Sequence, residues 1–172
     1  MKRLILTTLI FLIAITATFS QENTDIFTIY LVRHAEKGVS ESDPGNPPLS
    51  QCGELRAENL ALILNEIHIY RIYSTNYIRT IETAKPISES KSIEIENYDP
   101  RKLKEFSLLL LSLKEDALIV GHSNTTSVLA GMLAGEEMIP FDETIYDRIY
   151  QVHIFNNTAK ISILNQGFNC EN

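Results

Sequence analysis

Three short segments of the chain gather side chains that can do chemistry on an anion: Leu31-Val32-Arg33-His34-Ala35-Glu36, Ser74-Thr75-Asn76-Tyr77-Ile78-Arg79-Thr80 and Val120-Gly121-His122-Ser123-Asn124-Thr125. Together they hold two arginines, two histidines and the start of a helix. Guanidinium forks match phosphate oxygens, free helix amides favour an anion, and a neutral imidazole can attack or donate a proton. Taken one at a time, these residues have ordinary readings: Arg33 as a surface ion-pair partner, His34 as a turn histidine, Arg79 as a charge on a helix face. Their joint placement, each group following an apolar run, points instead to one phosphate-binding site. It would be made by Arg33, His34, Arg79 and His122, with Ser123 or Asn124 contributing an amide from the helix start.

The elements that must position these groups alternate between β-branched apolar runs and segments of helical period, the pattern of an α/β protein with helices on both faces of a mostly parallel sheet. Ile26–Val32 reads as a buried strand, followed by a polar loop from Lys37 to Pro48 broken by Gly38, Pro44, Gly45, Pro47 and Pro48. Ser50 caps a predicted helix running to about Glu66, with Leu55, Leu60, Ile63, Leu64 and Ile67 toward the sheet. Ile69–Tyr73 is a second strand, Asn76–Ser88 a helix, and Ser92–Glu96 a third, edge strand. Asp99-Pro100 is expected to start a helix carrying the stripe Leu103, Phe106, Leu110 and Leu113. Ala117–Val120 reads as a buried strand, Ser123–Leu133 as a helix ended by Gly135, and Ile149–Leu164 as a hairpin turning at Asn156-Asn157. Each of the three segments falls at the carboxyl end of a predicted strand, where open α/β sheets collect their ligand sites.

The chain has 172 residues, 44% of them hydrophobic and 22% charged, enough for the core of one domain and too apolar for disorder. Fifteen basic against 22 acidic residues give a net charge of −7, which argues against a nucleic-acid partner while leaving room for a local anion pocket. Residues 1–20 read as a signal peptide: Lys2 and Arg3 precede an apolar run of about 12 residues, Leu4 to Ile15, and small or polar residues lead to a cut near Ser20–Gln21. That run is shorter than the roughly 20 residues of a membrane-spanning helix. Cleavage would leave residues 21–172 as one exported domain, periplasmic or extracellular, with 13 basic and 22 acidic residues and a net charge of −9. Cys52 and Cys170 would meet an oxidising compartment there, either bridged or as two free thiols. Neither stands in the setting of a reactive thiolate.

The motifs resemble the histidine phosphatase superfamily, which includes phosphoglycerate mutases and small phosphohistidine phosphatases. Arg33-His34 after a strand is similar to the family's Arg-His-Gly motif, with Ala35 in place of the glycine; Pro48-Leu49-Ser50 with Gly53, Ser74 with Arg79, Thr80 and Thr83-Ala84, and Gly121-His122-Ser123 match the segments that follow. The likeness runs from about Thr28 to Leu164 and implies a three-layer, phosphoglycerate mutase-like fold. It also implies that His34 attacks phosphorus and carries the phosphoryl group, that Arg33, Arg79 and His122 meet the charge on its oxygens, and that no metal or other cofactor takes part.

The general acid is the part the resemblance locates least; the candidates are Asp99, Glu96, Glu94, Glu36, or no dedicated acid. Glu36 could equally hold the loop or touch substrate, and Asp99 could be only a helix cap. Lys37 could gather substrate, while His68, His153, Tyr73, Tyr146 and Tyr150 read as packing or surface residues. A serine-hydrolase elbow at Gly121-His122-Ser123-Asn124 is disfavoured, because Thr125 stands where its second glycine belongs and the arginines go unexplained. A non-catalytic phosphate-binding module and a mutase are the remaining alternatives. About 42 residues separate Arg79 from His122, a short cover that favours an open site over an enclosed mutase pocket. The expected partners are small phosphorylated compounds or phosphorylated macromolecules, with no stable membrane span after the leader is removed.

Overall fold

The computed structural model describes residues 25–156 and 158–170. The leader read over residues 1–20, its cleavage point, and Asn157 of the hairpin turn lie outside the described residues.

Ten elements run in the order β1 (Ile26–Arg33), α1 (Gln51–Ile63), β2 (Arg71–Ser74), α2 (Ile78–Lys91), β3 (Ile95–Asn97), α3 (Leu103–Leu113), β4 (Ala117–Gly121), α4 (Thr126–Ala134), β5 (Arg148–Phe155) and β6 (Thr158–Asn165). The six strands form one sheet in the order β3-β2-β4-β1-β5-β6. β1 to β4 are mutually parallel and β5 and β6 antiparallel, so the expected three-layer, mostly parallel architecture stands.

Alternation along β1 divides the core. Ile29 and Leu31 pack with α3 and α4 through Phe106, Leu110, Leu129 and Leu133. Tyr30 and Val32 point the other way, to α1 and α2 through Leu60, Leu64, Ala84 and Ile87. Each fully buried leucine or isoleucine contributes roughly 1.5–3 kcal/mol from its removal from water. β4 is buried along its whole length, as its continuous apolar run predicts. β3 lies at the sheet edge, as expected, and begins at Ile95 because Ser92, in the left-handed conformation at φ 57°, ends α2 first.

Four local expectations are corrected. The inward stripe of α1 is Gly53, Ala57, Leu60 and Leu64, so Leu55 (47% exposed) and Ile63 (39%) face outward; Ser50 caps Gly53 N, and that register turns Arg56 inward too. Asp99 does not cap α3: its carboxylate and carbonyl close a turn onto the backbone N–H groups of Arg101 and Lys102, and the helix begins at Leu103. α2 begins at Ile78, after an extended Tyr77, two residues later than read. α4 begins at Thr126, because Ser123 to Thr125 form a separate turn that folds back on His122.

The parallel run β2-β4-β1 brings three carboxyl ends to one edge. β1 and β4 are neighbours in register, with Arg33 opposite Gly121, and His34 N donates to Gly121 O at 2.9 Å. The order of the strands alone therefore sets His34 beside His122.

Candidate active site

A cavity of about 380 Å³ opens at that edge, lined by Arg33, His34, Arg79, His122, Ser123 and Asn124 together with Lys37, Tyr77, Pro100, Arg101, Thr125 and Glu143. Six of the eight residues expected at the site are thus brought together. Asp99 and Glu36 are not among the lining residues.

His34 is 3% exposed. Its Nδ1–H donates to Ala35 O at 2.8 Å, which leaves Nε2 with a free lone pair. Burial, and then the charges of Arg33, His122 and Arg79, hold its pKa down to about 3, so the ring is neutral at physiological pH. Three elements fix the loop that carries it: β4 through the Gly121 carbonyl, α2 through Thr83 Oγ1, which accepts Ala35 N at 2.9 Å, and the segment entering α1 through Ser50 N, which donates to Glu36 O at 2.9 Å. A Cβ on Gly53 would overlap Glu36 O, so only glycine lets α1 approach this closely.

His122 sits with its ring centroid 5.4 Å from that of His34. Thr80 Oγ1 donates to backbone carbonyls and accepts from Thr75 Oγ1, so Thr75 Oγ1 is left to accept His122 Nε2–H at 3.0 Å. The neutral ring therefore has a bare Nδ1, and Ser123 has no part in fixing the imidazole, which leaves the serine-hydrolase elbow without its geometry. Burial, with Arg79, Arg33 and Lys37 adding to it, lowers the pKa of His122 to about 4.

The two arginines differ in what else they do. Arg33 stacks 4.0 Å above the Tyr146 ring and donates Nη1 to the carbonyls of Glu143 and Ile145, so it holds the loop before β5. Arg79 lies 4.4 Å from the Tyr77 ring centroid, its Nη1 making one 3.3 Å bond to Gly45 O. In both, burial lowers the pKa, and in both Nε is buried without a protein partner among the described residues. A buried, unpaired guanidinium N–H is expensive unless something else accepts it. The turn after β4 adds to this: among the described residues, the N–H groups of Ser123 and Asn124 donate to no protein acceptor, while those of His122, Thr125 and Thr126 are satisfied within the turn. Four cationic side chains (Arg33, Lys37, Arg79 and Arg101) face one carboxylate around this cavity in a chain of net charge −7, so it is a local anion pocket.

The carboxylates named from sequence are committed elsewhere. Glu36 is gripped by Arg56 through Nε at 2.9 Å to both oxygens and Nη2 at 2.6 Å, which corrects its reading as a substrate ligand. Glu96 pairs with Arg71 at 3.0 Å, and Glu94 is exposed before β3, outside the cavity lining. Asp99 pairs with Arg101 at 2.8 Å, and those hydrogen bonds hold its pKa at about 2, which suits an ion-pair partner and not an acid. Glu143 is the carboxylate that lines the cavity, and among the described residues it has no ion pair. The sequence carries no signal for it, because its place depends on Arg33 holding its backbone from 110 residues away. Thr75, Thr83 and Tyr146 were also missed as positioning groups; the i+4 spacing of Arg79 and Thr83, whose hydroxyl donates to Arg79 O at 2.7 Å, was the available sign.

As for metal ligands, the described Glu36, Cys52 and Cys170 cluster closely enough to hold an ion, but the two sulfurs are joined to each other and the carboxylate is taken by Arg56. No helix among the described residues is long and apolar enough to cross a membrane.

The histidines make stability depend on pH. An unfolded His34 titrates near 6.5 and the folded one near 3, so between those values the unfolded chain binds a proton that the folded chain does not. Its stabilising contribution is complete above pH ~6.5 and falls by about 1.4 kcal/mol per pH unit toward the lower value; His122 acts in the same sense down to its own pKa. An anion that holds the rings as imidazolium opposes this loss. Thermal unfolding followed from about pH 8 to about pH 4 is expected to drop steeply without inorganic phosphate, less so with it, and less in His34→Asn; a midpoint indifferent to pH would contradict the assignment.

Residues 29–109 match the model of the histidine phosphatase superfamily (branch 1). No curated protein matches the sequence. The fold is similar to the protein histidine phosphatase SixA complexed with tungstate, at TM-score 0.67 and 14% identity over 81% of this chain and 97% of that one. It is similar to the alpha-ribazole phosphatase from Shigella flexneri, at TM-score 0.64 and 17% identity over 84% of this chain and 100% of that one. Likewise it resembles the phosphoglycerate mutase from Bacillus anthracis, at TM-score 0.57 and 15% identity over 81% and 92%. Three of the four motifs lie within the residues the family model matches, Gly121-His122-Ser123 lies beyond them, and the solved structures share the fold.

Proposed function

We propose that this chain, built on the histidine phosphatase fold, hydrolyses phosphomonoesters or phosphoramidates through a phosphohistidine on His34. One observation carries the reading: a buried, neutral histidine with a free Nε2 shares an anion pocket with two arginines whose buried Nε–H groups have no partner among the described residues.

In the first step Nε2 of His34 attacks phosphorus and the bond to the leaving oxygen breaks. Charge on the three remaining oxygens is met by the Nε–H groups of Arg33 and Arg79 and by the amides of Ser123 and Asn124. A bound dianion also favours the imidazolium form of His122, whose Nδ1–H then becomes a further donor. Glu143, at the pocket and without an ion pair among the described residues, acts in its carboxylic acid form and gives that proton to the leaving oxygen, becoming the carboxylate. It later takes one from the water that displaces phosphate from His34, which restores both residues. The open rim suits small phosphorylated compounds and phosphorylated macromolecules alike. The signal-peptide pattern of residues 1–20 and the joined cysteines support work in an exported, oxidising setting, periplasmic or extracellular.

The test is hydrolysis of 4-nitrophenyl phosphate and of an alkyl phosphate by residues 21–172 with a strong chelator present throughout. Wild type is expected to turn over both. Glu143→Gln is expected to lose on the order of 10² or more on the alkyl ester, whose leaving oxygen needs the proton, and far less on the nitrophenyl ester. Equal losses on the two esters would remove Glu143 as the acid. Folded protein that binds phosphate and hydrolyses neither would make this a binding module.

A further inference from the structure

The segment after β6 does not trail away from the molecule; it crosses to α1 and covers the back of the loop that carries His34. Gln166 N donates to Asp147 O at 2.8 Å as the chain leaves the sheet. Phe168 then contributes its carbonyl to Arg56 Nη1 at 3.1 Å and its ring beneath the guanidinium at 5.2 Å. Cys170 closes the path by a disulfide to Cys52, in the first turn of α1, with a Cα–Cα distance of 5.8 Å.

Arg56 is the centre of this arrangement. It is 6% exposed, with its other donors on the carboxylate of Glu36, two residues beyond His34. The tail gives Arg56 its last acceptor and lays a ring against its guanidinium, while the Glu36 side chain stays 20% exposed. Without the tail the pair would stand in water, where screening and side-chain freedom reduce such a contact to a small fraction of its buried strength.

We propose that the Cys52–Cys170 bond sets the rate of phosphoryl transfer at His34 by locking Arg56 onto Glu36, with Arg56 as a positioning residue. The inference rests on the reading of His34 as the nucleophile. In the disulfide state the Arg56–Glu36 pair is a rigid fourth support of the His34 loop, beside those from Gly121, Thr83 and Ser50. In the dithiol state the tail is released, Arg56 opens to solvent and its grip on Glu36 slackens, while the bonds from Gly121, Thr83 and Ser50 keep the loop folded. Conversion balances as thiol–disulfide exchange: the two thiols give up two protons and two electrons, and a disulfide-bearing oxidant such as oxidised glutathione becomes two thiols. A chain made in a reducing compartment would then reach full activity only after it meets such an oxidant.

The experiment compares oxidised and reduced wild type with Cys170→Ser and Arg56→Gln in hydrolysis of 4-nitrophenyl phosphate, well below each form's unfolding temperature. Reduction, Cys170→Ser and Arg56→Gln are each expected to lower kcat about tenfold, with KM changed less than about twofold. Oxidised glutathione should restore wild type and not Cys170→Ser, Arg56→Lys should recover part of the loss, and reduction should add little to Arg56→Gln because the two act through one contact. Full kcat in folded, reduced protein would overturn the proposal, as would penalties that multiply between Arg56→Gln and reduction. Should Arg56→Gln not fold, Phe168→Ala replaces it in the same comparison. The imidazole resonances of His34 provide a readout that does not need turnover: a shift on reduction supports the coupling and an unchanged spectrum rejects it. Oxidised wild type that hydrolyses no ester would sink the phosphatase reading, and those resonances would still decide this one.

Discussion

Alanine at position 34 is expected to abolish hydrolysis of every phosphomonoester the wild type accepts, with kcat/KM falling by on the order of 10⁴ or more, the scale seen when a nucleophile acting with its partners is removed. The size follows from geometry. Nδ1 of His34 is committed to the Ala35 carbonyl, and burial keeps the ring unprotonated, so its Nε2 is ready to react without a separate base. The neighbouring imidazole of His122 is not equivalent, because its Nε2 is held by Thr75 Oγ1 and the nitrogen it leaves bare is Nδ1. A rapid-quench assay should show an acid-labile phosphoryl group on wild type and none on His34→Ala, with circular dichroism confirming that both are folded. Hydrolysis surviving in the variant would place the chemistry on another residue.

The second large effect is expected at Arg79, where alanine should lower kcat/KM by on the order of 10²–10³, comparable to losing a preorganised donor to a developing charge. Arg79 makes a single long bond to Gly45 O and rests on Tyr77, so little of its energy is spent on the fold, and its buried Nε is free for a ligand. Lysine there should recover only a small part, since a point charge cannot reproduce a planar fork. Steady-state kinetics of Arg79→Ala and Arg79→Lys beside wild type decide the matter, and an unchanged kcat/KM in both would take Arg79 out of the site. Arg33 is a poorer probe, because its loss would also free the carbonyls of Glu143 and Ile145 and loosen the loop before β5.

What the sequence made legible was the part written in local chemistry. The continuous apolar runs of β1 and β4 announced buried strands, and Arg33, His34, Arg79 and His122 stood out because they follow strands whose parallel order carries them to one cavity. What it hid depended on partners distant in the chain. Glu36 and Glu96 looked available as acids until Arg56 and Arg71, 20 and 25 residues away, closed on them. Asp99 and Pro100 spell a helix start, yet Arg101 drew the aspartate into its own turn. On α1, Leu55 and Ile63 satisfied the helical period by type, but Gly53 sets the face that meets the sheet, because only it can lie against Glu36. Glu143 sits in a loop with no pattern of its own and is brought to the pocket by the backbone bonds of Arg33.

The direction of β1 also decides which way the molecule looks. Asp25 leads into its first residue and His34 follows its last, and nine steps along a strand at roughly 3.3 Å each set the two ends about 25–30 Å apart on opposite rims of the sheet. A group attached directly at Asp25 would sit at the rim opposite the cavity. A molecule fastened at Asp25 would keep its pocket turned outward with the length of β1 as standoff, and a bulky phosphorylated partner could reach it without crossing the point of attachment.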